Sequence, residues 1–301
     1  MDGIGLGAND PENNPLARVK MPNLSGLLGG KKLILEGLPV ETELASLVAL
    51  DANLGVSGLP QSATGQGALV TGKNISAIVG EHYGPKPNPP VREVILADNL
   101  FQQLTTRGYR SALLNGYPPR FFEGIASGKR LLSAIPLSVT SADIALKTEE
   151  DVHAGRAFSV DFTGKGWRDQ LGYANYPVKE PREAGLHLAE VSLSYDLAFF
   201  EFWVSDYAGH HQDQEAAEFL LTNFDAVLGG LLEGWPKKDA LIIITSDHGN
   251  MEDLSTRKHT LNPVPGLVIG DLEARQKFMA GLSDITHVTP NILNFYPKKD
   301  H

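Results

Sequence analysis

The sequence has no cysteine among its 301 residues, so disulfide bonds and thiolate metal ligands are excluded. Any metal site must therefore use histidine and carboxylate side chains. Long apolar runs are also missing: none reaches the roughly 18 residues that a membrane-spanning helix requires, and we expect no membrane segment. Positive charge is scarce, with a formal net charge of -10 at pH 7, and this balance argues against a nucleic-acid-binding surface, which needs a basic face.

The composition is that of a globular protein, with 42% hydrophobic and 21% charged residues. A chain of 301 residues can bury a substantial core, and one large α/β domain with an insertion is favoured over two equal domains. The residues after Met1 do not show the cationic and then apolar pattern of a secretory signal peptide, so we expect a cytoplasmic protein. No pattern in the sequence indicates an oligomeric state.

The first strand of a parallel sheet usually ends in an Asp that is followed by glycines in a turn. The first residues, MDGIGLG, match the Asp and the glycines of this pattern. In that pattern Asp2 ends a parallel strand, yet the strand that should precede Asp2 is absent. We predict that this start is internal to a longer natural protein, that the sheet lacks a central strand, and that Asp2 is held less firmly as a result. The alternative is a disordered Gly-rich tail.

Residues 241–244, LIII, form a continuous aliphatic run, which is typical of a strand buried on both faces of a parallel sheet. Asp247 and His248 come soon after it, and a Gly-Asn pair then turns the chain. Ligands and catalytic groups of open α/β sheets lie just beyond the carboxyl ends of the strands. With His259 further along the same stretch, the pattern predicts a divalent metal site rather than a solvated loop that happens to contain histidines.

A second buried strand is predicted at residues 197–204, LAFFEFWV, and it also ends near a carboxylate. In the sequence DYAGH that follows, the spacing of Asp206 and His210 lets a carboxylate at the strand tip and an imidazole from the next turn reach one ion. Two strands that each end in an Asp with a His close behind are hard to explain by core packing alone. A long helix is predicted next, from about residue 213 to residue 232.

Small residues crowd around Ser62 in residues 58–72, and an apolar group at residues 68–70 predicts the start of a helix behind it. A hydroxyl near a helix N-terminus lies where backbone N–H groups and the helix dipole favour an anion such as phosphate. The alternative is that Ser62 is simply a turn residue. Asp51, which follows a predicted strand at residues 46–50, is the main rival to Asp2 as a strand-tip carboxylate.

Residues 119–181 are the least regular part of the sequence, with mixed polarity and scattered aromatic residues. We predict that they form a small cap inserted over the site. The metal-binding α/β core is then made of residues 1–118 and 182–301.

Three motifs in this chain together resemble the alkaline phosphatase superfamily, in particular its metalloenzyme branch, which contains cofactor-independent phosphoglycerate mutase and phosphopentomutase. They are DYAGH at residues 206–210, SDHGN at residues 246–250, and the pair His259-Thr260. The nucleophile motif of that branch is Ser or Thr, two residues, then Gly-His. Here the spacing is matched from Ser62 to Gln66, and Gln66 stands in place of the histidine.

The resemblance implies an α/β fold in which helices sandwich a mostly parallel sheet, and it implies two divalent metal ions. By similarity, one ion is held by Asp206, His210 and His259, and the other by Asp2, Asp247, His248 and the Ser62 oxygen. Three carboxylates offset three of the four positive charges of two dications, and an ionised Ser62 brings the total to zero, so the site would accept a dianionic phosphate. Such ligands suit Mn²⁺ or Zn²⁺, and the resemblance favours Mn²⁺.

The function that the resemblance implies is phosphoryl transfer, in which Ser62 attacks the phosphorus of a small phosphate ester and forms a phosphoserine. Transfer to water makes the protein a phosphohydrolase, and transfer to a second hydroxyl makes it a phosphosugar or phosphoglycerate mutase. Gln66 and the short stretch between Ser62 and Asp206 favour a phosphohydrolase or phosphotransferase over a true phosphoglycerate mutase. An inactive relative that binds metal or a phosphorylated ligand is the alternative of a different class.

The remaining polar residues divide into predicted substrate contacts and residues expected outside the site. The predicted substrate contacts are Gln66, His82, Arg110 and Arg120. The histidines expected to be structural or exposed are His153, His187, His211, His287 and His301.

Overall fold

Short strands and many helices make up the computed structural model, which describes residues 1–236 and 240–299. The strands in these ranges are β1 (Val40–Glu41), β2 (Ala45–Leu50), β3 (Ser111–Leu113), β4 (Gly116–Tyr117), β5 (Lys147–Thr148), β6 (Leu197–Phe199), β7 (Ile242–Ile244) and β8 (Val264–Ile269). His301 lies outside the described residues, so the expectation for it stays a prediction.

Helices precede, separate and follow these strands in the described residues. In the described ranges they are α1 (Pro15–Arg18), α2 (Pro22–Leu27), α3 (Ser62–Thr71), α4 (Ile75–Val79), α5 (Pro89–Ala97), α6 (Leu100–Thr106), α7 (Pro119–Ala126), α8 (Ala134–Ser141), α9 (Glu149–His153), α10 (Lys165–Asp169), α11 (Pro181–Ser192), α12 (Val204–His211), α13 (Gln214–Gly234), α14 (Leu272–Met279) and α15 (Val288–Leu293), with a 3₁₀ helix at Ile285–His287. Among the described residues, no helix combines the length and the apolar character that crossing a membrane requires.

The strands pair both in parallel and in antiparallel directions. Strand β3 pairs with β6 in parallel, and β4 pairs with β5 in parallel. A four-stranded sheet has the order β1-β2-β8-β7, and its three pairings are antiparallel. The predicted α/β class, with helices around parallel pairings, is confirmed, and the antiparallel sheet is a feature that the sequence pattern did not predict.

The two strands that lead into the metal motifs are shorter and less buried than predicted. Strand β6 ends at Phe199, and β7 covers only Ile242–Ile244, with all of these residues half-buried. In the described residues each strand has a partner on one side only, β3 for β6 and β8 for β7. Because each is an edge strand, one long side of it lacks a backbone ladder, and its side chains pack less completely than those of a central strand.

The N-terminal residues lie between the segments that follow β6 and β7. The Met1 α-amino group donates to the Thr245 carbonyl oxygen at 2.7 Å, and the Asp2 N–H donates to the Phe202 carbonyl oxygen at 3.0 Å. Ile4 and Leu6 are fully buried, so these residues are packed into the core and a disordered tail is wrong. That a strand precedes Asp2 in a longer chain stays a prediction.

The helix that carries Ser62 begins earlier than predicted. Helix α3 starts at Ser62 itself rather than near residue 68, and all ten of its residues are buried. Its small side chains allow this close packing, since a Cβ at Gly65 would lie 2.7 Å from the Asp247 carbonyl oxygen. The sequence SATGQG therefore brings the first turn of α3 against the loop that follows β7.

Residues 119–181, the predicted cap, contain α7 to α10 and β5. Helix α8 packs its Ile135 and Val139 in a cluster with Val70 of α3 and Phe101 of α6. This contact joins part of the predicted cap to the helix that carries Ser62. The division into core and cap stays a prediction.

Helices α11 and α13 pack very closely and support the segment that holds α12. Helix α13 has 21 residues, and the Asp213 side chain caps it by accepting a hydrogen bond from the Ala216 N–H at 2.9 Å. A Cβ at Gly185 of α11 would overlap the Val227 carbonyl oxygen of α13 and would lie 2.7 Å from the Leu231 nitrogen. A Cβ at Gly230 of α13 would likewise overlap the Arg182 carbonyl oxygen of α11, so the two backbones approach this closely because residues 185 and 230 have no side chain.

We expect Gly185→Ala to lower the free energy of unfolding by about 1–3 kcal/mol, because the added methyl group must push α11 and α13 apart. Gly26→Ala is the matched control, since a Cβ at this exposed helical position meets nothing within 4 Å. The control should be neutral or stabilising by about 0.5–1 kcal/mol. Urea denaturation of both variants measures the difference, and equal stabilities would contradict the proposed close packing.

Candidate metal centre

Three carboxylates from distant parts of the chain meet beyond the ends of β6 and β7. Asp2 follows the N-terminal residue, Asp206 lies in the first turn of α12, and Asp247 follows β7 and is fully buried. Gly3 lets the first two approach each other: it has a φ of 66°, and a Cβ there would lie 2.6 Å from Asp206 Oδ1. A glycine is therefore required for both the backbone conformation and the space.

The imidazoles of His210, His248 and His259 direct their Nε2 atoms towards the carboxylates. In each of them Nδ1 lies within hydrogen-bonding distance of a backbone carbonyl oxygen, which can only accept. Nδ1 therefore carries the proton, and the Nε2 lone pair is free to bind a metal ion. The acceptors are the carbonyl oxygens of Arg257 at 2.7 Å for His210, of Gly249 at 3.3 Å for His248, and of Pro60 at 2.5 Å for His259.

The first group of candidate ligands consists of Asp206, His210 and His259. Their facing atoms are 3.1 Å apart between the two Nε2 atoms, 3.2 Å from His210 Nε2 to Asp206 Oδ2, and 3.6 Å from His259 Nε2 to Asp206 Oδ1. Ligands bound tetrahedrally at about 2.0–2.2 Å from a metal are roughly 3.3–3.6 Å apart. Two Nε2 lone pairs that face each other repel unless a cation lies between them, so the geometry fits a metal ion.

The second group surrounds His248. Its Nε2 lies 3.4 Å from Asp2 Oδ1, 3.5 Å from Asp247 Oδ2 and 3.0 Å from Ser62 Oγ. In the described part of the chain, the two carboxylate oxygens are buried and have no hydrogen-bond partner. Buried polar atoms are almost always satisfied, so unpaired oxygens beside an imidazole lone pair fit a bound cation.

The protonation equilibria of the cluster reflect its burial. Burial, and then the neighbouring His259, lower the pKa of His248 to about 3, so this imidazole is neutral at neutral pH, as a metal ligand must be. Burial raises the pKa of Asp247 to about 6. The pKa of Asp2 lies well above its ordinary range because of burial and then the charges of Asp247 and Asp206. A dication would favour the ionised carboxylates and relieve this repulsion.

Asp206 and His210 meet through a helix rather than through a turn. Both lie on α12, four residues apart, and residues with this spacing share one face of a helix. The His210 side chain is 42% exposed, whereas that of His248 is completely buried. The cluster therefore opens to solvent on the side of Asp206 and His210.

Ser62 lies at the N-terminus of α3 and points into the second group. Its hydroxyl donates to His248 Nε2 at 3.0 Å, because that nitrogen has no proton of its own. One turn later the Gln66 Nε2 donates to Asp2 Oδ2 at 3.0 Å. Gln66 Oε1 is buried and has no partner among the described residues. The structure therefore brings Ser62 and Gln66 to the predicted metal ligands.

The other predicted substrate contacts, His82, Arg110 and Arg120, lie outside the cluster of metal ligands. His82 binds Ser76 Oγ and the Val56 carbonyl oxygen through its two ring nitrogens, and it lines a cavity of about 390 Å³ beside the residue that precedes Ser62. Arg120 is exposed in the first turn of α7. Arg110 is exposed at the amino end of β3, opposite to the end at which the cluster lies, so the structure does not bring it to the site.

Asp51, the alternative to Asp2, and the remaining histidines lie outside the cluster. Asp51 is exposed, and its carboxylate accepts from the N–H groups of Asn53 and Leu54 in a turn, so Asp2 and not Asp51 joins the cluster. His211 is exposed and contacts the Tyr207 carbonyl oxygen. The remaining described histidines are also partly or fully exposed to solvent: His153, His187 and His287.

The sequence did not predict the roles of two residues beside the cluster, Glu201 and Asn250. Glu201 is buried, accepts a hydrogen bond from the Tyr117 hydroxyl at 3.2 Å, and has its pKa raised to about 7 by burial. The Asn250 side-chain amide donates to Asp206 Oδ1 at 2.7 Å and so orients that carboxylate. The only sequence signal was that Glu201 interrupts an otherwise apolar run, and that Asn250 follows the Asp-His pair.

Comparison with known proteins confirms the resemblance that the motifs predicted. Residues 178–297 match the Metalloenzyme superfamily. Over 114 residues the chain is 32% identical to the 2,3-bisphosphoglycerate-independent phosphoglycerate mutase of Dinoroseobacter shibae, which covers 36% of this chain and 22% of that protein. The protein of the same name from Desulforudis audaxviator is 30% identical over 106 residues, or 33% of this chain and 20% of its own length. The chain thus aligns with about a fifth of each relative.

Solved structures show that the fold is shared along the whole chain. The PH0037 protein from Pyrococcus horikoshii superposes with a TM-score of 0.55 at 14% identity, over 100% of this chain and 96% of that one. The alkaline phosphatase of the Antarctic bacterium TAB5 gives 0.54 at 13% identity, over 99% and 96%. The chain therefore has an alkaline-phosphatase-like α/β fold.

Glu201 gives a pH-dependent prediction. Its pKa rises from 4.5 to about 7 on folding, so the folded protein binds this proton more tightly than the unfolded protein does. The contribution of Glu201 to stability is therefore greatest below about pH 4.5 and falls by up to about 3 kcal/mol as the pH rises through 7.

We expect Glu201→Gln to remove this fall, so that the variant gains stability relative to the wild type between pH 4.5 and pH 8. Urea denaturation across that range measures the difference between the two proteins. Glu12→Gln, at an exposed position, should show no such trend. Parallel pH profiles for wild type and Glu201→Gln would contradict the assignment.

Proposed function

We propose that this protein is a metal-dependent phosphoryl-transfer enzyme, a phosphohydrolase or phosphotransferase that uses Ser62 as its nucleophile on a small phosphate ester. One observation carries the proposal: Ser62 Oγ lies 3.0 Å from His248 Nε2, where three carboxylates and three imidazoles converge. A nucleophilic hydroxyl at a helix N-terminus beside such a cluster is suited to phosphoryl transfer, because the helix dipole and bound cations both favour a phosphate there.

Two divalent ions, with Mn²⁺ favoured and Zn²⁺ as the alternative, are part of the proposal. Their role would be to stabilise negative charge on the phosphate and to favour the ionised form of the attacking hydroxyl. The distances within each group support the assignment of one ion to Asp206, His210 and His259, and of the other to Asp2, Asp247, His248 and Ser62.

The proposed reaction has two steps. In the first, the Ser62 hydroxyl loses its proton and its oxygen forms a bond to phosphorus, while the bond from phosphorus to the ester oxygen breaks and the departing alcohol takes up a proton. In the second, water attacks the phosphoserine, and Ser62 and inorganic phosphate are released. A substrate hydroxyl in place of water would return a phosphorylated product, and the protein would then be a mutase.

The residues of the chain prepare Ser62 for this chemistry by position and charge. Ser62 is the first residue of α3, a helix of ten residues, and a helix dipole favours an anion such as phosphate at its N-terminus. The exposed side of the cluster at His210 offers a path for substrate. The cavity lined by His82 and Gln61 beside Ser62 supports a second contact region, and residues 119–181 with Arg120 are proposed as its cap.

The choice between hydrolysis and mutase activity rests on Gln66. The mutase motif has a histidine at this position, whereas here the Gln66 amide donates to Asp2. A neutral amide that is already bonded to Asp2 cannot act as a proton carrier near the substrate. This favours a phosphohydrolase, and the similarity to proteins named as phosphoglycerate mutases keeps the mutase as the second candidate.

We expect chelator-stripped protein to hydrolyse p-nitrophenyl phosphate only after Mn²⁺ or Zn²⁺ is restored, and Ser62→Ala to lower kcat by roughly 10³-fold or more. Thr64→Ala is the matched control, because its hydroxyl donates to the Gln61 carbonyl oxygen and should not react. Mass spectrometry of quenched wild-type protein should find phosphate on Ser62. Full activity in Ser62→Ala would exclude the mechanism, and two bound ions without turnover of any phosphate ester would indicate an inactive relative.

The ligand assignment predicts metal content. Wild type dialysed against Mn²⁺ should retain two ions per chain, and Asp206→Asn should retain one, because the first group loses its only carboxylate. Asp51→Asn, which alters the exposed rival, should still retain two. Elemental analysis by mass spectrometry measures the ions, and an Asp206→Asn protein with two tightly bound ions would refute the first ligand group.

A further inference from the structure

Glu252 is a buried carboxylate beside the candidate metal centre that the proposed chemistry does not use. Its side chain is in the loop after β7, and the residue is only 2% exposed. Four donors surround its two oxygens. Oε2 accepts from the Gly5 N–H at 2.8 Å and from the Asn250 N–H at 2.8 Å, and Oε1 accepts from Asn262 Nδ2 at 3.0 Å and from the Thr260 hydroxyl.

One donor comes from the distant N-terminal segment, and the other three come from two parts of the connection between β7 and β8. A proposed metal ligand lies close to the donors in each of these three places. Gly5 follows Asp2 in the N-terminal segment, and Asn250 follows His248 in the loop after β7. Thr260 is adjacent to His259. One carboxylate therefore ties the N-terminal segment, which carries Asp2, to both parts of the β7–β8 connection, which carry Asp247, His248 and His259.

Three glycines pack directly against the Glu252 side chain. A Cβ on Gly5 or on Gly249 would overlap Glu252 Oε1, and a Cβ on Gly7 would lie 3.0 Å from Glu252 Cγ. The glycines of the N-terminal segment thus make room for the Glu252 side chain as well as for the turn. Any shift of this side chain has to move the N-terminal segment or the loop after β7.

The contacts of Glu252 extend to both ligand groups. The Asn250 N–H is held by Glu252, and the Asn250 side chain in turn donates to Asp206 Oδ1 at 2.7 Å. Glu252 is thereby connected to Asp206 and His259 of the first group, and through Gly5 to the segment of Asp2 in the second group.

We propose that Glu252 is a positioning residue that fixes the spacing of the two metal sites and does not itself bind an ion. Both of its oxygens are already occupied by two donors each, so neither is free for a metal. Groups that orient metal ligands through hydrogen bonds typically change metal affinity by about 10–100-fold when they are altered. The inference rests on the proposed metal-dependent function.

Glu252→Gln is the sharpest variant, because it keeps the size of the side chain and removes only its ability to accept on both sides. In either orientation the amide NH₂ faces two donors, so two of the four hydrogen bonds are lost. We expect Mn²⁺ affinity, measured by titration calorimetry on the folded metal-free protein, to fall by about 10–100-fold at both sites. The absorption spectrum of the Co²⁺-loaded protein should also change, since the ligand geometry shifts.

Two further variants keep the test decisive. Glu12→Gln makes the same chemical change at an exposed position and should leave Mn²⁺ affinity and the Co²⁺ spectrum unchanged. Thr260→Val removes one donor to Glu252 and the acceptor of the Asn262 N–H at constant shape, so it tests the inference if Glu252→Gln does not fold. We expect it to weaken the site of Asp206, His210 and His259 more than the other.

The outcomes separate the inference from the function on which it rests. A wild-type protein that binds no divalent ion overturns the proposed function. A wild type with two ions, together with folded Glu252→Gln or Thr260→Val variants of unchanged Mn²⁺ affinity and unchanged Co²⁺ spectrum, overturns the positioning role alone. Loss of thermal stability without loss of metal affinity has the same meaning, because it assigns Glu252 a purely structural role.

Discussion

The candidate metal centre brings three carboxylates together in a largely buried site, and their mutual repulsion is the constraint on which the rest of the structure depends. Asp2, Asp206 and Asp247 come from separate segments. Burial raises the pKa of Asp247, and burial together with the charges of Asp247 and Asp206 raises the pKa of Asp2. Such a cluster persists only if protons or cations neutralise it and if the backbone holds its members in place. The three imidazoles, each fixed through Nδ1 on a backbone carbonyl oxygen, supply the neutral ligands that complete a cation site.

The scaffold provides the rigidity that this cluster needs. The fully buried helix α3 brings Ser62 and Gln66 against the loop that follows β7, and the tight packing of α11 on α13 supports the segment that leads into α12. The N-terminal segment crosses between the ends of β6 and β7 and places Asp2 between the other two carboxylates. Hydrogen bonds to Glu252 and Asn250 then connect these pieces, so the geometry depends on contacts between segments more than on any single loop.

Local motifs were enough to identify most of the candidate site. Asp206 and His210 lie four residues apart, Asp247 and His248 are adjacent, and both pairs follow apolar runs, so short-range spacing alone indicated a metal centre. The resemblance added Asp2 and Ser62 and the α/β fold, which the structural comparison confirms. Arg110 was a wrong prediction, because it directly precedes β3 and therefore lies at the amino end of that strand, whereas the cluster lies beyond the carboxyl ends.

The sequence by itself determined which chemical groups are available. These are histidine and carboxylate ligands without cysteine, a hydroxyl among small residues, and apolar runs that are followed by aspartates. The tertiary structure decided how these parts meet. The antiparallel pairing of β7 with β8, the start of α3 at Ser62, and the burial of Glu201 and Glu252 all depend on contacts between residues far apart in the chain. Periodicity and spacing report only on neighbours within a few residues, and therefore could not specify which distant donor would satisfy a buried carboxylate.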